Sequence, residues 1–291
     1  MNKTIWMLYD TCDLAINRGF VALMQCAAEN AGWKLEAVTI QELIFGISDN
    51  GQPTCKDTKG RPLPATILSR QRNARISRHF EKMGIPVYNN STVCEICNHK
   101  PSTHLLLQGL PMMETTVLFK AEEQTPPFPH PFLVKPASGH GGQKVAVVQN
   151  EAQYREALAK IAPDDAVVQK ISSEAGKDLR LYVLFGEIIG GVLRTAKSGI
   201  ISNFKLGGQV VFQRPTQKEA WLGEQVIRRF RENGAPLYLA GIDLIYHHGE
   251  PVINEVEDVV GCRMLYETSS INIASLYISR LIQNHDNSEN L

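Results

Sequence analysis

Three acidic side chains near the end of the chain have the spacing of a cation site. Asp243 lies in the segment Gly-Ile-Asp-Leu-Ile, and Glu255 and Glu257 alternate in Ile-Asn-Glu-Val-Glu. Residues two apart on a strand point to the same face, so both glutamates lie on one side of the sheet. Two carboxylates on one face are costly unless they are solvated or bind a cation. The alternatives are a solvated hairpin edge and a site for Mg²⁺, which prefers oxygen ligands and commonly bridges to phosphates.

The turn between the two strands decides whether Asp243 joins the glutamates. A loop of even length at residues 247–250 would pair Asp243 with Asn254. A bulged loop of odd length, with Gly249 at positive φ, would pair Asp243 with Glu255 instead. We predict the odd loop, and with it a cluster of three carboxylates.

A glycine-rich loop after a lysine has the composition of a phosphate-binding segment. Residues 135–144 read Lys-Pro-Ala-Ser-Gly-His-Gly-Gly-Gln-Lys. An ammonium group neutralises phosphate charge, and glycines let backbone N–H groups approach phosphate oxygens closely. The loop leads into a strand, so it matches neither the P-loop nor the dinucleotide fingerprint. A flexible hairpin turn is an equally good interpretation of this loop taken alone.

A third group of polar and cationic side chains lies between these two motifs. Two-residue spacing places Asp178 and Arg180 on the same face of a strand. Surface charge is the usual role of such residues. Together with the lysine loop and the acids, however, they supply what phosphoryl transfer needs, namely cations around phosphates and carboxylates around Mg²⁺. The other members of the group are Arg194, Lys197, Asn203 and Lys205.

The elements that must position these residues change character along the chain. Strand and helix signals alternate up to residue 95, with strands at 4–9, 35–40, 65–68 and 86–88. This alternation predicts a small open parallel sheet, with an exposed loop at 46–64. After the Pro-rich segment 120–131, hairpins replace the parallel units, and they pair 132–136 with 144–148, 179–185 with 188–194, and 240–246 with 252–257.

The composition argues against a nucleic-acid-binding protein and against a membrane protein. The chain has 291 residues, 30 of them basic and 30 acidic, which predicts about two packed units without disulfide staples. A net charge of zero provides no long-range attraction to nucleic acid or to an anionic membrane, so we expect neither as a partner. The absence of a long apolar run and of a signal peptide predicts a cytoplasmic protein.

Cys94 and Cys97 have the spacing of a metal or redox motif. A short helix that buries a thiol is the favoured interpretation, because Val93, Ile96 and Cys97 have helical spacing. We expect Thr92 and Glu95 to form the capping box of this helix.

In their order and spacing, these segments resemble the ATP-grasp superfamily, and within it the RimK-like carboxylate-amine ligases. The resemblance covers about residues 98–282, and it is carried by Phe-Leu-Val-Lys-Pro with its loop, Val-Val-Gln-Lys-Ile-Ser, Gly-Lys-Asp-Leu-Arg-Leu-Tyr-Val, Ser-Asn-Phe-Lys-Leu-Gly-Gly and the two acidic segments. It implies an α/β fold, with α+β character in its C-terminal lobes. A small parallel pre-grasp domain, 1–97, would precede two hairpin-built lobes, 98–170 and 171–285, that clamp ATP, and 286–291 would be a tail.

The resemblance also implies a role for each candidate residue. Asp243, Glu255 and Glu257 match the ligands of Mg²⁺ or Mn²⁺, and Arg194 and Asn203 match the catalytic Arg and Asn beside the phosphates. Residues 169–171 match the hinge that binds adenine. The ATP contacts would be Lys100, Lys135, Ser138, Gly139, His140, Gly141, Gly142, Gln169, Lys170, Ile171 and Asp178.

The acceptor side departs from the family pattern. Glu257 stands where the family usually has Asn, and the loop 258–263 lacks the usual Ala-Ser-Pro-Gly. We expect Arg180 to contact substrate. Arg70, Arg72 and Arg263 are candidate carboxylate holders, because arginine forms bidentate pairs with carboxylates, although each could equally be a surface charge.

The implied activity is ATP- and Mg²⁺-dependent joining of a carboxylate to an amine through an acylphosphate, with release of ADP and phosphate. Small amino-acid or peptide substrates are expected, and the chain could form a homo-oligomer. Two alternatives stay open: a ligase that modifies a ribosomal peptide, and a nucleotide-binding module without turnover.

Overall fold

The computed structural model describes residues 2–121, 125–139, 144–196 and 208–289, with side chains up to residue 285 in the last range. Four parallel strands form the first sheet, in the order β2–β1–β5–β6. Their bounds are β1, Thr4–Tyr9; β2, Lys34–Thr39; β5, Thr66–Ser69; and β6, Val87–Tyr88. The predicted parallel sheet is therefore confirmed.

Helices cover both faces of this sheet. Ile5 and Met7 belong to the apolar cluster that includes α1 (Thr11–Asn30), whereas Trp6 and Leu8 pack with Phe80 of α2 (Ala74–Lys82). A strand that is buried on both faces needs a continuous apolar sequence, which is why β1 shows no polar alternation.

The expected loop at 46–64 is wrong in part. It contains half of a hairpin, in which β3 (Leu43–Ile47) pairs with β4 (Pro53–Asp57). The side chain of Asp57 accepts a hydrogen bond from Arg61 Nε at 2.7 Å. Because this two-stranded sheet is small and open to solvent, β4 can consist largely of polar residues. Its sequence therefore has the composition of a loop.

Two short helices connect the first sheet to the rest of the chain, namely α3 (Ser91–Cys97) and α4 (Lys100–Leu106). The predicted helix around the cysteines is confirmed, but its predicted cap is wrong. The side chain of Asn90 accepts a hydrogen bond from Val93 N at 2.9 Å, so the helix begins before Thr92. Burial raises the pKa of both thiols, and Cys94 and Cys97 are unpaired packing residues of the described structure.

The central sheet is antiparallel, in the order β7–β10–β8–β9. The hairpin signal predicted its strands β8 and β9 but not β7. Asn150 caps α5 (Glu151–Ile161) by accepting from Gln153 N at 3.0 Å. The strand bounds are β7, Thr115–Leu118; β8, Phe132–Pro136; β9, Ala146–Val148; and β10, Ala166–Lys170.

Five antiparallel strands form the last sheet, in the order β13–β12–β11–β14–β15. Helix α6 (Gln217–Glu232) starts with a capping box of Thr216 and Glu219. Helices α7 (Arg263–Thr268) and α8 (Ile273–Glu289) follow the sheet, and α8 packs against α1. The strand bounds are β11, Lys177–Leu184; β12, Glu187–Thr195; β13, Gln209–Gln213; β14, Leu239–His247; and β15, Glu250–Glu257.

The turn between β14 and β15 differs from the predicted one, but the predicted pairing of Asp243 with Glu255 is present. The loop has two residues, His248 and Gly249, both at positive φ, so the predicted odd length is wrong. A bulge at Asn254 supplies the missing one-residue shift inside the strand instead. Asp243 therefore lies opposite Glu255, as the predicted cluster requires.

A buried asparagine connects the first sheet to the last. Asn89 Nδ2 donates to the carbonyl oxygens of Leu239 at 2.8 Å and Asp258 at 3.0 Å, and Asn89 Oδ1 accepts from Tyr238 N at 2.8 Å. These bonds hold the end of β6 against the start of β14 and the segment after β15. Among the described residues, no helix is both long and apolar enough to cross a membrane.

Candidate active site

Asp243 lies at the centre of an ion-pair network on one face of the last sheet. Strand pairing places it opposite both Arg180 of β11 and Glu255 of β15. Arg180 holds it bidentately, from Nε to Oδ1 and from Nη2 to Oδ2, both at 2.7 Å. Arg194 Nη2 adds a third contact to Oδ2 at 2.6 Å. Burial alone would raise the pKa of Asp243, but the two arginines lower it to about 2, so the carboxylate stays ionised.

The predicted acidic cluster is present. Asp243, Glu255 and Glu257 each offer a carboxylate oxygen, and these oxygens all lie within 4.8 Å of one another. Glu257 also pairs with Arg180 Nη2 at 2.8 Å, and burial raises its pKa. Three oxygen donors at this spacing fit a hard divalent cation. Arg180 and Arg194 would then share the charge of Asp243 with the cation.

Asp178 and Arg194 face each other on the neighbouring strands β11 and β12. Arg194 Nε donates to Asp178 Oδ2 at 2.6 Å, and the same guanidinium reaches Asp243. Asp178 and Arg180, which strand alternation placed on one face, therefore form one connected network with Arg194 and Asp243.

Two lysines approach this network, one from α4 and one from β8. Lys135, on β8, donates from Nζ to Gln169 Oε1 at 2.7 Å and approaches Asn254 Oδ1 at 3.5 Å. Burial lowers its pKa against the attraction of Glu255, and with the repulsion from Lys100 the value falls to about 8. Lys100, the first residue of α4, contacts the carbonyl oxygen of Gly139 at 3.2 Å. Burial lowers its pKa as well, against the attraction of Glu255.

Paired lysines with lowered pKa values indicate a site that gains from a bound anion. Each ammonium group is partly removed from solvent, and the two repel each other. A phosphate group between them would relieve that repulsion and restore their charge.

Four more of the predicted ATP contacts line the same cavity, namely Gly139, Gln169, Lys170 and Ile171. Gln169 uses its side chain, which donates from Nε2 to Thr115 Oγ1 at 3.0 Å while its Oε1 accepts from Lys135. Lys170 forms an ion pair with Glu114, and Ile171 lines the cavity. Ser138 and Gly139 are exposed at the end of β8. His140, Gly141, Gly142 and Asn203 lie outside the described residues.

The cavity has a volume of about 900 Å³ and continues from the lysines to the first domain. Arg70, Arg72 and Arg263 all line its far end. Arg70 is buried, and its Nη2 donates to the carbonyl oxygen of Val260 at 2.7 Å. Arg72 Nη1 pairs with Asp13 Oδ2 at 2.8 Å. Arg263 is exposed and forms no ion pair with any described residue.

Sequence reasoning missed two side chains of this cavity. His104 lies one helical turn after Lys100 on α4, and burial together with the two lysines lowers its pKa to about 4. The spacing of four from Lys100 was the available signal. Asp258 accepts a hydrogen bond from Asn98 Nδ2 at 3.0 Å, and burial raises its pKa to about 6. It lies in the loop 258–263 after β15, whose sequence differs from the family pattern, so no motif identified it.

Cys262 also lines the cavity, but its thiol is protonated at neutral pH. Burial raises its pKa to about 11, against the opposing effects of Arg70 and Arg180. A protonated thiol is a poor nucleophile.

Comparison with known sequences gives relatives named as synthases and ligases. The human N-acetylaspartylglutamate synthase A is 27% identical over 226 residues, which cover 74% of this chain but only 56% of that protein. A probable alpha-L-glutamate ligase of Pasteurella multocida is 24% identical over 288 residues, covering 91% of this chain and 90% of that protein.

Comparison with solved structures identifies the same fold. The structure of D-cycloserine synthetase DcsG superposes with a TM-score of 0.73 at 14% identity, covering 97% of this chain and 99% of that chain. The family model of the RimK-like ATP-grasp domain matches residues 102–281, which include Lys135 and the acidic cluster but not Lys100. The chain belongs to the RimK-like ATP-grasp family.

Proposed function

We propose that this protein is an ATP- and Mg²⁺-dependent ligase that joins a carboxylate to an amine through an acylphosphate. The observation that carries the proposal is the arrangement of charge around one cavity. Lys100 and Lys135 face an acidic cluster that fits a cation, and Arg194 joins that cluster to the neighbouring strand. This arrangement suits a nucleotide whose phosphates bind cationic side chains on one side and a metal on the other.

Each side chain has a role in this proposal. Lys100 and Lys135 bind the ATP phosphates, and the lowered pKa of Lys135 recovers when the anion binds. Arg194 stabilises the charge on the transferring phosphoryl group. Asp243, Glu255 and Glu257 hold Mg²⁺, or Mn²⁺ in its place, which supplies neutralisation of the phosphate oxygens.

The proposed reaction has two steps. A carboxylate oxygen attacks the γ-phosphorus of ATP, the bond to the β-γ bridging oxygen breaks, and ADP leaves. An amine nitrogen then attacks the acyl carbon and loses a proton, and phosphate leaves with one oxygen from the carboxylate. Because the acylphosphate is already activated, the protein needs mainly to position both reactants and neutralise charge.

The lobes follow from the same proposal. Residues 98–170 and 171–285 would clamp ATP, and residues 1–97 would close the far end of the cavity. Relatives named for glutamate and N-acetylaspartylglutamate make amino acids or short peptides the proposed substrate class.

The test is ADP release from ATP with a panel of amino acids, small carboxylic acids and amines. We expect release that requires a divalent cation, a carboxylate and an amine together. Glu255→Gln should lose this activity while keeping the fold, because Glu255 is only partly buried. ADP formation that needs no amine would contradict amide ligation, and nucleotide binding without turnover across the panel would support the binding-module alternative.

A further inference from the structure

An apolar side of α1 lines the far end of the cavity. Ile16, Phe20 and Leu23 follow one another at helical spacing, and all three belong to the cavity wall. Ile16 is 65% exposed and Leu23 is 44% exposed. The buried residues of α1 are Val21, Met24, Ala27 and Ala28.

Phe20 packs in part against the core, whereas Ile16 and Leu23 are exposed to the cavity. Exposed apolar side chains gain free energy when a ligand covers them. Burial of apolar surface is the main favourable contribution in most small-molecule sites, where a few polar groups fix orientation. The wall formed by Ile16, Phe20 and Leu23 therefore indicates a ligand with an apolar portion.

The charged groups beside this wall are mostly engaged. Arg72 is neutralised by Asp13, which lies on the same side of α1, one turn before Ile16. The guanidinium carbon of Arg70 lies 5.6 Å from the centre of the Phe20 ring, and its Nη2 is bound to the Val260 carbonyl. Arg263 lines the same cavity and pairs with no described residue, so it is available to one carboxylate.

We propose that the substrate at this end of the cavity is an amino acid with an apolar side chain. The side chain packs on Ile16, Phe20 and Leu23, and the α-carboxylate pairs with Arg263. This inference rests on the proposed ligase function and gives it a substrate class. A glutamate side chain would place a second carboxylate against the apolar wall, at a cost in desolvation.

A pair of matched variants tests this wall. Ile16 and Ile47 are exposed to nearly the same degree, 65% and 67%, but only Ile16 lines the cavity. Ile16→Asp and Ile47→Asp therefore add the same charge at sites where folding tolerates it. The assay is ADP release by the full-length protein with Leu, Met, Phe, Glu or Lys, each tested with a mixture of small acids and amines.

We expect the lowest KM values for Leu, Met and Phe. Ile16→Asp should raise those KM values roughly ten- to hundredfold with little change in kcat, because the contact is made equally in the ground and transition states. Ile47→Asp should leave both constants unchanged. A lower KM for Glu or Lys, or equal KM values for the two variants, would overturn the substrate class while leaving the ligase function intact.

Calorimetric titration of Leu and Glu separates failure of the inference from failure of the proposed function. If no pair of substrates gives ADP, the ligase proposal fails, but binding still decides the role of the wall. Binding of Leu that Ile16→Asp weakens roughly tenfold or more would support an apolar site. No binding of Leu, or binding that both variants leave unchanged, would overturn it.

Discussion

Replacing Lys135 by Met should stabilise the fold and weaken nucleotide binding. The ammonium group lies in the cavity between Gln169 and Asn254, beside Lys100. Burial of this charge without a bound anion lowers the stability of the folded protein. Its pKa falls from 10.5 to about 8. Methionine has a similar length and carries no charge, so it removes this cost from the folded state.

The size of the effect follows from the pKa. A shift from 10.5 to about 8 means that the folded protein destabilises the charged form of Lys135 by about 3 kcal/mol at neutral pH. Since Lys135 lines an open cavity, solvent screens part of this cost, which leaves about 2 kcal/mol. Loss of the hydrogen bond to Gln169 Oε1 costs about 1 kcal/mol. We expect Lys135→Met to be more stable than the wild type by about 1 kcal/mol at pH 7.

The sign of this difference should reverse with pH. Between the folded pKa near 8 and the ordinary value of 10.5, the unfolded chain binds more protons at Lys135, so wild-type stability rises with pH. The variant lacks this gain. At pH 10 about a quarter of the charge cost is left, roughly 0.5 kcal/mol, and the variant should be about 0.5 kcal/mol less stable than the wild type.

Urea unfolding at both pH values measures the effect. Lys160→Met is the control, because Lys160 is an exposed lysine paired with Glu156 on α5 and should give no pH-dependent difference. The reasoning is refuted if the difference between Lys135→Met and wild type is the same at pH 7 and pH 10. In parallel, the affinity of Lys135→Met for ATP should fall by at least tenfold, because a desolvated cation on phosphate is lost.

Three further predictions follow from the site and its supports. Asp243→Asn should lower the free energy of unfolding in urea by about 2 to 4 kcal/mol, because two buried arginines lose a charged partner. Glu255→Gln should change it by less than about 0.5 kcal/mol. Equal losses for the two variants would contradict this account of the network. Wild-type affinity for ATP, measured by calorimetry, should weaken as the pH rises through about 8, where free Lys135 loses its proton, and a flat profile from pH 7 to 9 would argue against that lysine as a phosphate ligand. Asn89→Ala should lower the free energy of unfolding by about 2 to 3 kcal/mol, because three backbone groups lose their partner, and a loss below about 0.5 kcal/mol would show that this junction is not a support.

Much of the site could be predicted because strand alternation determines which side chains share a face. The two-residue spacing of Asp178 and Arg180, and of Glu255 and Glu257, was sufficient to place them together. The register of Asp243 was predicted correctly for a wrong reason, because a bulge at Asn254 and an odd turn shift the pairing by the same one residue. Periodicity alone cannot distinguish these two solutions.

Other features depend on tertiary packing that the sequence does not encode locally. Helix α1 carries apolar residues on more than one side, and periodicity does not report which of them, such as Leu23, stay exposed in the fold. The cap of α3 moved from Thr92 to Asn90, since several adjacent polar residues can each start a helix. Asp258 acquires its raised pKa from burial between segments distant in sequence, so only the folded structure identifies it.

The most direct test of the central proposal follows one oxygen atom. The carboxylate substrate from the panel is labelled with ¹⁸O in both oxygens, and the phosphate and nucleotide products are analysed by mass spectrometry. The proposal predicts ADP, an amide, and phosphate that carries one ¹⁸O atom per turnover, transferred through the acylphosphate. Unlabelled phosphate, or label in AMP, would contradict it.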